Sequence, residues 1–436
     1  MLPRYSRKAP AVVSAGLLLS AAAWLTPSAA AAAVSCHGRA ATIVGTDGPQ
    51  TLVGTEGRDV IVALKGEDVI DGLGGDDWIC GGDGRDTITG NTGDDHVYGQ
   101  AGGDTVIEGA GDDHDAAGAH GLYADLLTYE FVGQPLKMQL ATKSAVVGDN
   151  RDTVDGFDSY AGTDHDDLFT GTDKGDRFMG GDGDDDIAGY RGDDYLVGDA
   201  GDDTVFGGRG DDDVQGWQGF DHLIDMYGNN LVHDVAANGA TGAVIVTGSG
   251  NDRVDAESPD PQADYTITTG GGADLVYVNG IMRNVRVQTG LGNDFVQVDD
   301  GAEFLRVWTQ QGNDELVLLP TKGQRASGGA GIDRVRFPLD YEDITLTLGP
   351  DGHLSIPVHM SLPSFENAWS GYGDDTITGS ADRNVIFSGD GDDNLWGLGG
   401  DDKLNASYDN NHSDMARGGA GHDQCIDAEI MFSCEG

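Results

Sequence analysis

The sequence predicts an all-β chain whose parallel strands stack as a solenoid, and three observations lead to this fold class. A nine-residue unit repeats in three stretches, with glycine at its first and fourth places, aspartate at its sixth and an apolar residue at its eighth. The residues around the eighth place form a short strand-like run with one inward side chain. Residues 228–335 repeat with a longer period of about 20 residues, again with strand-like runs. Repetition at a fixed period is typical of solenoids, in which each unit packs only on its neighbours.

The sixth-place aspartates define the unit most clearly. The complete set is Asp59, Asp68, Asp77, Asp86, Asp95, Asp104, Asp113, Asp167, Asp176, Asp185, Asp194, Asp203, Asp212, Asp221, Asp375, Asp393 and Asp402. Asn384 replaces the aspartate in one unit, and Asp414 and Asp423 resume the spacing after a short insertion. The eighth-place series runs from Ile61 to Val106 in the first stretch, where Asp115 interrupts it.

This spacing predicts calcium sites. Ca²⁺ takes about six to eight oxygen ligands from carboxylates and backbone carbonyls. Glycine permits positive φ, which lets the backbone turn its carbonyls toward one point, and aspartate adds the charge. We predict ligands on the sixth-place aspartates and on loop glycines, namely Gly72, Gly75, Gly81, Gly84, Gly180, Gly183, Gly198 and Gly201. The alternative is a series of acidic turns on a solvated surface, which leaves the strict spacing unexplained.

The run from Gly72 through Asp77 to Cys80, followed directly by Gly81 through Asp86 to Thr89, resembles the RTX nonapeptide G-G-x-G-x-D-x-U-x. The resemblance implies a right-handed parallel β-roll, or β-solenoid, in which two nonapeptides form one coil. Asp59, Asp77, Asp95 and Asp113 would then line one edge, and Asp68, Asp86 and Asp104 the other. Each calcium ion would lie between successive loops of one edge.

Composition and charge agree with export and with a need for cations. The chain has 25 basic and 75 acidic residues and a formal net charge of −50. Residues 1–33 contain three basic residues, no acidic residue, a long apolar run and an alanine-rich end, which together are typical of a secretory signal peptide. Removing them makes the net charge −53. This repulsion opposes compaction and predicts a chain that folds as divalent cations bind.

The same charge argues against nucleic acid and anionic membrane surfaces as partners. No segment after residue 33 is apolar enough to span a bilayer. We therefore expect an extracellular, monomeric protein whose partner is calcium.

The breaks in the period predict the organisation of the chain. After the signal peptide we expect nonapeptide blocks at 34–119, 162–227 and 371–436, β-rich connectors at 120–161 and 336–370, and a wider solenoid at 228–335. We expect each connector to cap one roll and to start the next.

Four cysteines remain, an even number that suggests disulfides in an exported chain. Three pairings can be drawn, and we favour Cys36 with Cys80 and Cys425 with Cys434, so that each bond closes one end of the solenoid. The segments around these cysteines resemble secreted actinobacterial RTX-type proteins. A rival interpretation treats Ala33-Val-Ser-Cys36 as a lipidation signal.

The sequence predicts no catalytic activity. It contains neither a His-Glu-x-x-His zinc motif nor a Gly-x-Ser-x-Gly nucleophile motif. A surface or matrix adhesin that binds polysaccharide is the alternative, with residues 228–335 as the binding segment, and a polysaccharide-active enzyme is a third hypothesis. A threonine column at Thr247, Thr269, Thr289 and Thr309 is interpreted as strand-end packing, with an exposed ligand-binding ladder as the alternative.

Overall fold

Two stacks of parallel strands run the length of the protein. The computed structural model describes residues 34–120, 123–236, 242–299, 302–319, 324–337, 343–356, 360–406 and 413–435. The predicted signal peptide lies outside these residues. The predicted all-β solenoid is confirmed, with a single short 3-10 helix at Leu140–Thr142 in the part of the chain that the structure describes. No helix in that part is long and apolar enough to cross a membrane.

The first ladder contains one strand per coil. Its strands are Thr51–Thr55, Val69–Leu73, Thr87–Thr89, Thr105–Ile107, Leu126–Thr128, Ser159–Ala161, Arg177–Asp182, Tyr195–Ala200, Asp213–Gln218, Leu231–Val235, Arg253–Ser258, Leu275–Gly280, Phe295–Asp299, Glu315–Leu318, Arg334–Arg336, Asn367–Trp369, Val385–Phe387, Lys403–Asn405 and Gln424–Ile426. All its pairings are parallel.

The second ladder forms the opposite face of the coil. Its strands are Ile43–Val44, Val60–Lys65, Trp78–Asp83, His96–Gly102, His114–His120, Leu136–Gln139, Ser144–Val147, Asn150–Asp155, Leu168–Thr170, Asp186–Arg191, Thr204–Arg209, Phe220–Tyr227, Gly242–Ser249, Asp264–Thr268, Asn284–Gln288, Phe304–Trp308, Arg325–Ser327, Thr345–Thr347, His353–Ile356, Met360–Ser361, Thr376–Thr378, Asn394–Gly399, Met415–Ala420 and Ile430–Phe432. A short antiparallel pair, Ser35–Cys36 with Arg39–Ala40, precedes both ladders.

The register shows that two nonapeptides make one coil. Ile79 pairs with Ile61 on one side and with Val97 on the other, so equivalent residues are 18 apart. On the first ladder Ile88 pairs with Ile70 and Val106 in the same way. The right-handed sense of the coil stays a prediction.

In the nonapeptide coils the core consists of eighth-place side chains from both ladders, because each strand turns one apolar residue inward. Ile79, Ile88, Phe169 and Phe178 are completely buried, and the last two rings lie 4.9 Å apart between centroids. These residues belong to one continuous apolar cluster that runs along the solenoid. Burying such a side chain contributes about 1.5–3 kcal/mol to the free energy of unfolding. The eighth-place side chains therefore supply the main apolar stabilisation of each nonapeptide coil.

Residues 228–335 continue both ladders with a wider coil. Strands here turn two residues inward instead of one, as Val276 and Val278 do on the first ladder and Val285 and Val287 on the second. Equivalent residues lie 20 to 22 apart in these coils, as in the pairings of Val254 with Val276 and of Val276 with Val296.

From the sequence we expected each connector to cap one roll and to start the next. The structure differs from this expectation. Both ladders pass through the connectors, and each connector inserts an antiparallel three-stranded meander into the second ladder. Leu136–Gln139, Ser144–Val147 and Asn150–Asp155 form the first meander. Thr345–Thr347, His353–Ile356 and Met360–Ser361 form the second. The outer strands of each meander pair in parallel with the coils on either side, so stacking is unbroken. The division into separate blocks stays a prediction.

The favoured disulfides are the ones present. Cys36 bonds Cys80 and Cys425 bonds Cys434, each with a Cα–Cα distance of 5.7 Å. Both sulfurs of the first pair are buried at the amino-terminal end of the solenoid. A sulfur in a disulfide cannot also hold a lipid, so this structure disagrees with the lipidation interpretation of Cys36.

The amino-terminal disulfide should contribute more stability than the carboxy-terminal one. It spans 44 residues, and replacing both cysteines by serine should lower the free energy of unfolding by about 4 kcal/mol through unfolded-state entropy. The other bond spans 9 residues and should contribute about 2.5 kcal/mol. Urea unfolding in calcium of C36S/C80S and C425S/C434S measures both losses. Equal losses, or a larger loss for the second variant, would contradict the loop-entropy account.

Candidate metal sites

A polar residue precedes every strand of the first ladder, and together these residues form what we call the long column. Its members are Gln50, Asp68, Asp86, Asp104, Asp125, Asp158, Asp176, Asp194, Asp212, Asn230, Asp252, Asp274, Asp294, Asp314, Asp333, Glu366, Asn384, Asp402 and Asp423. The column passes through the nonapeptides, the connectors and the wider coils without an apolar member. One edge of the solenoid is therefore polar along its whole described length.

The opposite edge carries an interrupted column. Its acidic members are Asp59, Asp77, Asp95, Asp113, Asp152, Asp167, Asp185, Asp203, Asp221, Asp375, Asp393 and Asp414. In the wider coils the same register is occupied by apolar residues, since Asp221 pairs with Ala243 and the row continues through Tyr265, Val285 and Leu305. Each of these wider coils therefore keeps only one of the two aspartate loops.

The sixth-place aspartates of both columns are buried and accept hydrogen bonds from backbone amides. Asp77 Oδ1 accepts a hydrogen bond of 2.8 Å from the backbone N–H of Asp59, one coil earlier. Asp86 Oδ1 accepts one of 2.9 Å from Asp68 in the same way. All the sixth-place aspartates are at most 9% exposed. They are therefore not acidic turns on a solvated surface.

The second carboxylate oxygen, Oδ2, lacks a hydrogen-bond partner in many of these aspartates. Oδ2 is buried without a hydrogen-bond partner in Asp68, Asp77, Asp86, Asp104, Asp185, Asp194, Asp203, Asp212, Asp221, Asp375, Asp393 and Asp402 among the sixth-place set. A buried carboxylate oxygen without a partner is costly in free energy. A cation is the group that would satisfy a whole row of them.

Glycines form the rest of each cradle. A Cβ added to Gly72 would lie 2.7 Å from Asp77 Oδ2 and 3.0 Å from the carbonyl oxygen of Gly90, so both oxygens face the space that glycine leaves open. Gly81, Gly180 and Gly198 stand in the same relation to Asp86, Asp185 and Asp203. The fourth-place glycines Gly75, Gly84, Gly183 and Gly201 have φ between 111° and 151°, which turns the loop backbone as predicted.

Three predicted ligands have a different environment. Asp59, Asp167 and Asp176 accept hydrogen bonds from the backbone amide and hydroxyl of a threonine four residues earlier, at Thr55, Thr163 and Thr172. These threonines occupy the second place of the unit, where the repeat prefers glycine. The hydroxyl supplies the contact that the other loops lack.

Burial raises the pKa of many column carboxylates, whereas the pKa of Asp59 is lowered, because its desolvation by burial is outweighed by hydrogen bonds from Thr55 and Thr42. Loss of hydration raises the pKa of Asp77 to about 6, that of Asp203 to about 7 and that of Asp185 to about 8, although the amide of the preceding coil opposes the shift in each case. A metal ligand must be deprotonated, so cation binding would release protons near neutral pH.

The donor set fits calcium. In the residues that the structure describes, no group of three or more His, Cys, Asp or Glu side chains is arranged so that it could hold a metal ion by itself. A site therefore combines a carboxylate with backbone carbonyl oxygens, and hard oxygen donors are what Ca²⁺ prefers. The role of each sixth-place aspartate and glycine as a ligand stays a prediction.

Comparison with known proteins gives the family. A family model for the RTX calcium-binding nonapeptide repeat matches residues 44–79, 81–114, 161–196, 189–223 and 369–404. The chain is an RTX-repeat protein. No curated protein matches its sequence. The fold and the repeats agree on a calcium-binding protein of the RTX type.

The threonine column of this RTX-repeat protein faces inward. Thr247, Thr269, Thr289 and Thr309 are at most 2% exposed, so they do not form a ladder that a ligand could bind. Thr247 pairs with Asp225 of the preceding coil. Thr309 Oγ1 donates a 2.6 Å hydrogen bond to the carbonyl of Gly328. The packing interpretation is the one that the structure supports.

Sequence reasoning missed a second row of aspartates at the fifth place. Asp184 Oδ1 accepts from the N–H of Asp202, one coil later, at 2.8 Å, and Asp193 accepts from Asp211 at 3.0 Å. These side chains are exposed, and their bonds run in the opposite direction to those of the buried column. The recurrent Asp-Asp dipeptide is the signal that could have revealed them.

Proposed function

We propose that this RTX-repeat protein is exported unfolded and folds outside the cell as calcium binds to its aspartate columns. The observation that supports the proposal is the row of buried Oδ2 atoms without partners. In the nonapeptide loops whose aspartate Oδ2 has no partner, that oxygen and the glycine carbonyl would hold the ion. The ion supplies positive charge, which neutralises carboxylates that otherwise repel one another within a strongly acidic chain.

Export fits the disulfides and the predicted signal peptide. Disulfides persist in oxidising compartments outside the cytosol. Extracellular calcium sites have dissociation constants of about 10⁻⁴–10⁻³ M, which leaves the chain largely free of calcium before export. Folding would then begin where calcium is available.

Far-UV circular dichroism of residues 34–436 tests the proposal. In EGTA at about pH 8 the β signal should be small, and millimolar calcium should restore it, whereas the same concentration of magnesium should not. D203N should need more calcium for half-maximal signal, because Asp203 is a buried column member. D186N is the matched control, because Asp186 is an exposed strand residue of the same segment. Identical spectra with and without calcium, together with no calcium bound in calorimetry, would exclude the proposal.

A second candidate function is binding of acidic polysaccharide to the wider coils. Arg286, Arg306 and Arg325 are exposed and stack in register on consecutive strands of the second ladder. The Arg286 guanidinium lies 5.4 Å from the ring centroid of Trp308, beside exposed Phe304. A row of cations about 4.8 Å apart on an otherwise acidic protein suits a repeating anionic chain.

Glycan-array binding in calcium tests this candidate. R306A should lower binding to acidic glycans severalfold, and R253A, on the other ladder, should not. Release of reducing ends or unsaturated sugars from those glycans would instead support the enzyme hypothesis. Wild-type protein that binds no acidic glycan would remove this candidate.

A further inference from the structure

Two aspartates occupy places that the repeat reserves for glycine. The first place of the unit is glycine at Gly198, Gly207 and Gly216 but aspartate at Asp225 and Asp234. The register places Asp225 one coil beyond Gly207 and Asp234 one coil beyond Gly216. Both aspartates are completely buried, at the point where the nonapeptides give way to the wider coils.

On the edge of the long column, Asp225 faces Asp212. The two Oδ2 atoms lie 2.6 Å and 2.8 Å from the point where a Cβ on Gly207 would stand. Neither Oδ2 has a hydrogen-bond partner. Their Oδ1 atoms are directed elsewhere, since that of Asp212 accepts from the amide of Asp194 at 2.8 Å.

On the other edge, Asp234 faces Asp221 in the same way. Asp221 Oδ2 and Asp234 Oδ1 converge beside Gly216, and neither has a hydrogen-bond partner. Asp234 Oδ2 accepts a 2.6 Å hydrogen bond from the hydroxyl of Tyr265, which fixes the orientation of the carboxylate. All three side chains are at most 1% exposed.

These pairs differ from the ordinary loops in charge. Beside Gly180 the oxygen that faces the Asp185 carboxylate is the neutral carbonyl of Gly198, 2.7 Å from the added Cβ. At Gly207 and Gly216 a second carboxylate takes that place. Two like charges buried together are unfavourable unless a proton or a cation lies between them, and a divalent cation neutralises both.

We infer that Asp212 with Asp225, and Asp221 with Asp234, form two calcium sites that bind the ion more tightly than the repeat loops do. Calcium affinity rises with the number of charged ligands, so each site should bind about tenfold or more tightly than a loop with one carboxylate. The inference rests on the calcium binding proposed for the repeats. It assigns one tight site to each edge of the solenoid at this junction.

The neighbouring coil provides substitutions that the fold already accommodates. One coil further on, Thr247 stands in the register of Asp225, and Ala256 in that of Asp234. The variant D225T/D234A therefore removes the second carboxylate of each pair while using residues found at these places. D186N, which removes an exposed charge from the same segment, is the control.

Calcium binding to residues 34–436, measured by titration against a chelator, tests the inference. Wild-type protein and D186N should show about two ions bound at least tenfold more tightly than the rest, and D225T/D234A should lose that class and keep the weaker ions. An unchanged binding curve for D225T/D234A would overturn the inference and leave the proposed function standing. Absence of calcium binding in the wild type would overturn both.

Terbium luminescence gives a second readout, in which none of the four coordinating aspartates is replaced. Because the Tyr265 hydroxyl contacts Asp234, the first equivalents of Tb³⁺ should be sensitised by this ring, and Y265F should lose at least half of that emission. Y277F is the control, because Tyr277 lies on the outward face of the first ladder. Equal early emission from both variants would place the first ions elsewhere and contradict the inference.

Discussion

Freed of calcium, the protein should be most stable in mild acid and should unfold as the pH rises from about 5 to about 8. The column carboxylates explain this direction. Burial raises the pKa of Asp77 to about 6, that of Asp95 to about 7 and that of Asp221 to about 8. In the unfolded chain an aspartate has a pKa of about 3.9.

The sign follows from proton binding. Between the unfolded pKa of about 3.9 and the folded pKa values of about 6 to 8, the folded state holds more protons than the unfolded state. The free energy of unfolding therefore falls with rising pH. Stability is fully present below the unfolded pKa and is lost as the pH passes through the folded values. Many carboxylates titrate in the same window, which makes the expected effect large.

Thermal unfolding in excess EGTA, followed by circular dichroism at several pH values, measures this effect. In saturating calcium the dependence should reverse, because protons compete with the ion for the same oxygens. A midpoint in EGTA that stays constant or rises between pH 5 and 8 would show that the buried carboxylates are not the source of the instability.

Replacing Gly84 by alanine should be among the most damaging single changes. Gly84 has a φ of 151°, which alanine adopts only with strain, and an added Cβ would collide with the carbonyl of Gly66 in the coil below. Strain and overpacking together should lower the free energy of unfolding by about 3 kcal/mol. The collision is with backbone, so no side chain can move aside to relieve it.

Gly57 is the matched control for this substitution. It is also a fourth-place glycine, in the loop before Asp59 on the opposite edge, but it has no positive φ and has nothing within 4 Å of an added Cβ. G57A should change the free energy of unfolding by less than about 0.5 kcal/mol. Urea unfolding of the two calcium-loaded variants measures both changes in the free energy of unfolding. A loss of stability in G57A as large as that in G84A would show that positive φ and the backbone collision are not the cause of the effect.

The nonapeptides were predictable because one short unit carries the fold and the site together. Glycine at the first and fourth places, Asp77 at the sixth and Ile79 at the eighth specify a turn, a carboxylate and an inward side chain. The 18-residue register follows once two units make a coil. The fourth-place glycines accordingly turn the loops, whereas the first-place glycines Gly72, Gly81, Gly180 and Gly198 lie within strands. Three of the predicted carboxylates are hydrogen-bonded by threonine.

The rest depends on register across insertions, which local spacing does not contain. Asp333 donates its amide to Glu366, which is 33 residues away, because a meander lies between their coils. Asn230 accepts from Asp212 although it is neither an aspartate nor part of a complete unit. The connectors looked like boundaries for the same reason, since the sequence loses its period while the backbone keeps its stack.

The uninterrupted long column makes the molecule a one-dimensional array without an internal weak plane. Each coil contacts only the coils before and after it, and an Asp-Asp dipeptide such as Asp211-Asp212 accepts hydrogen bonds from both of them through its two carboxylates. Only the first and last coils lack one of these neighbours. Loss of structure should therefore begin at the ends and travel inward as fraying, rather than as separation of three independent blocks.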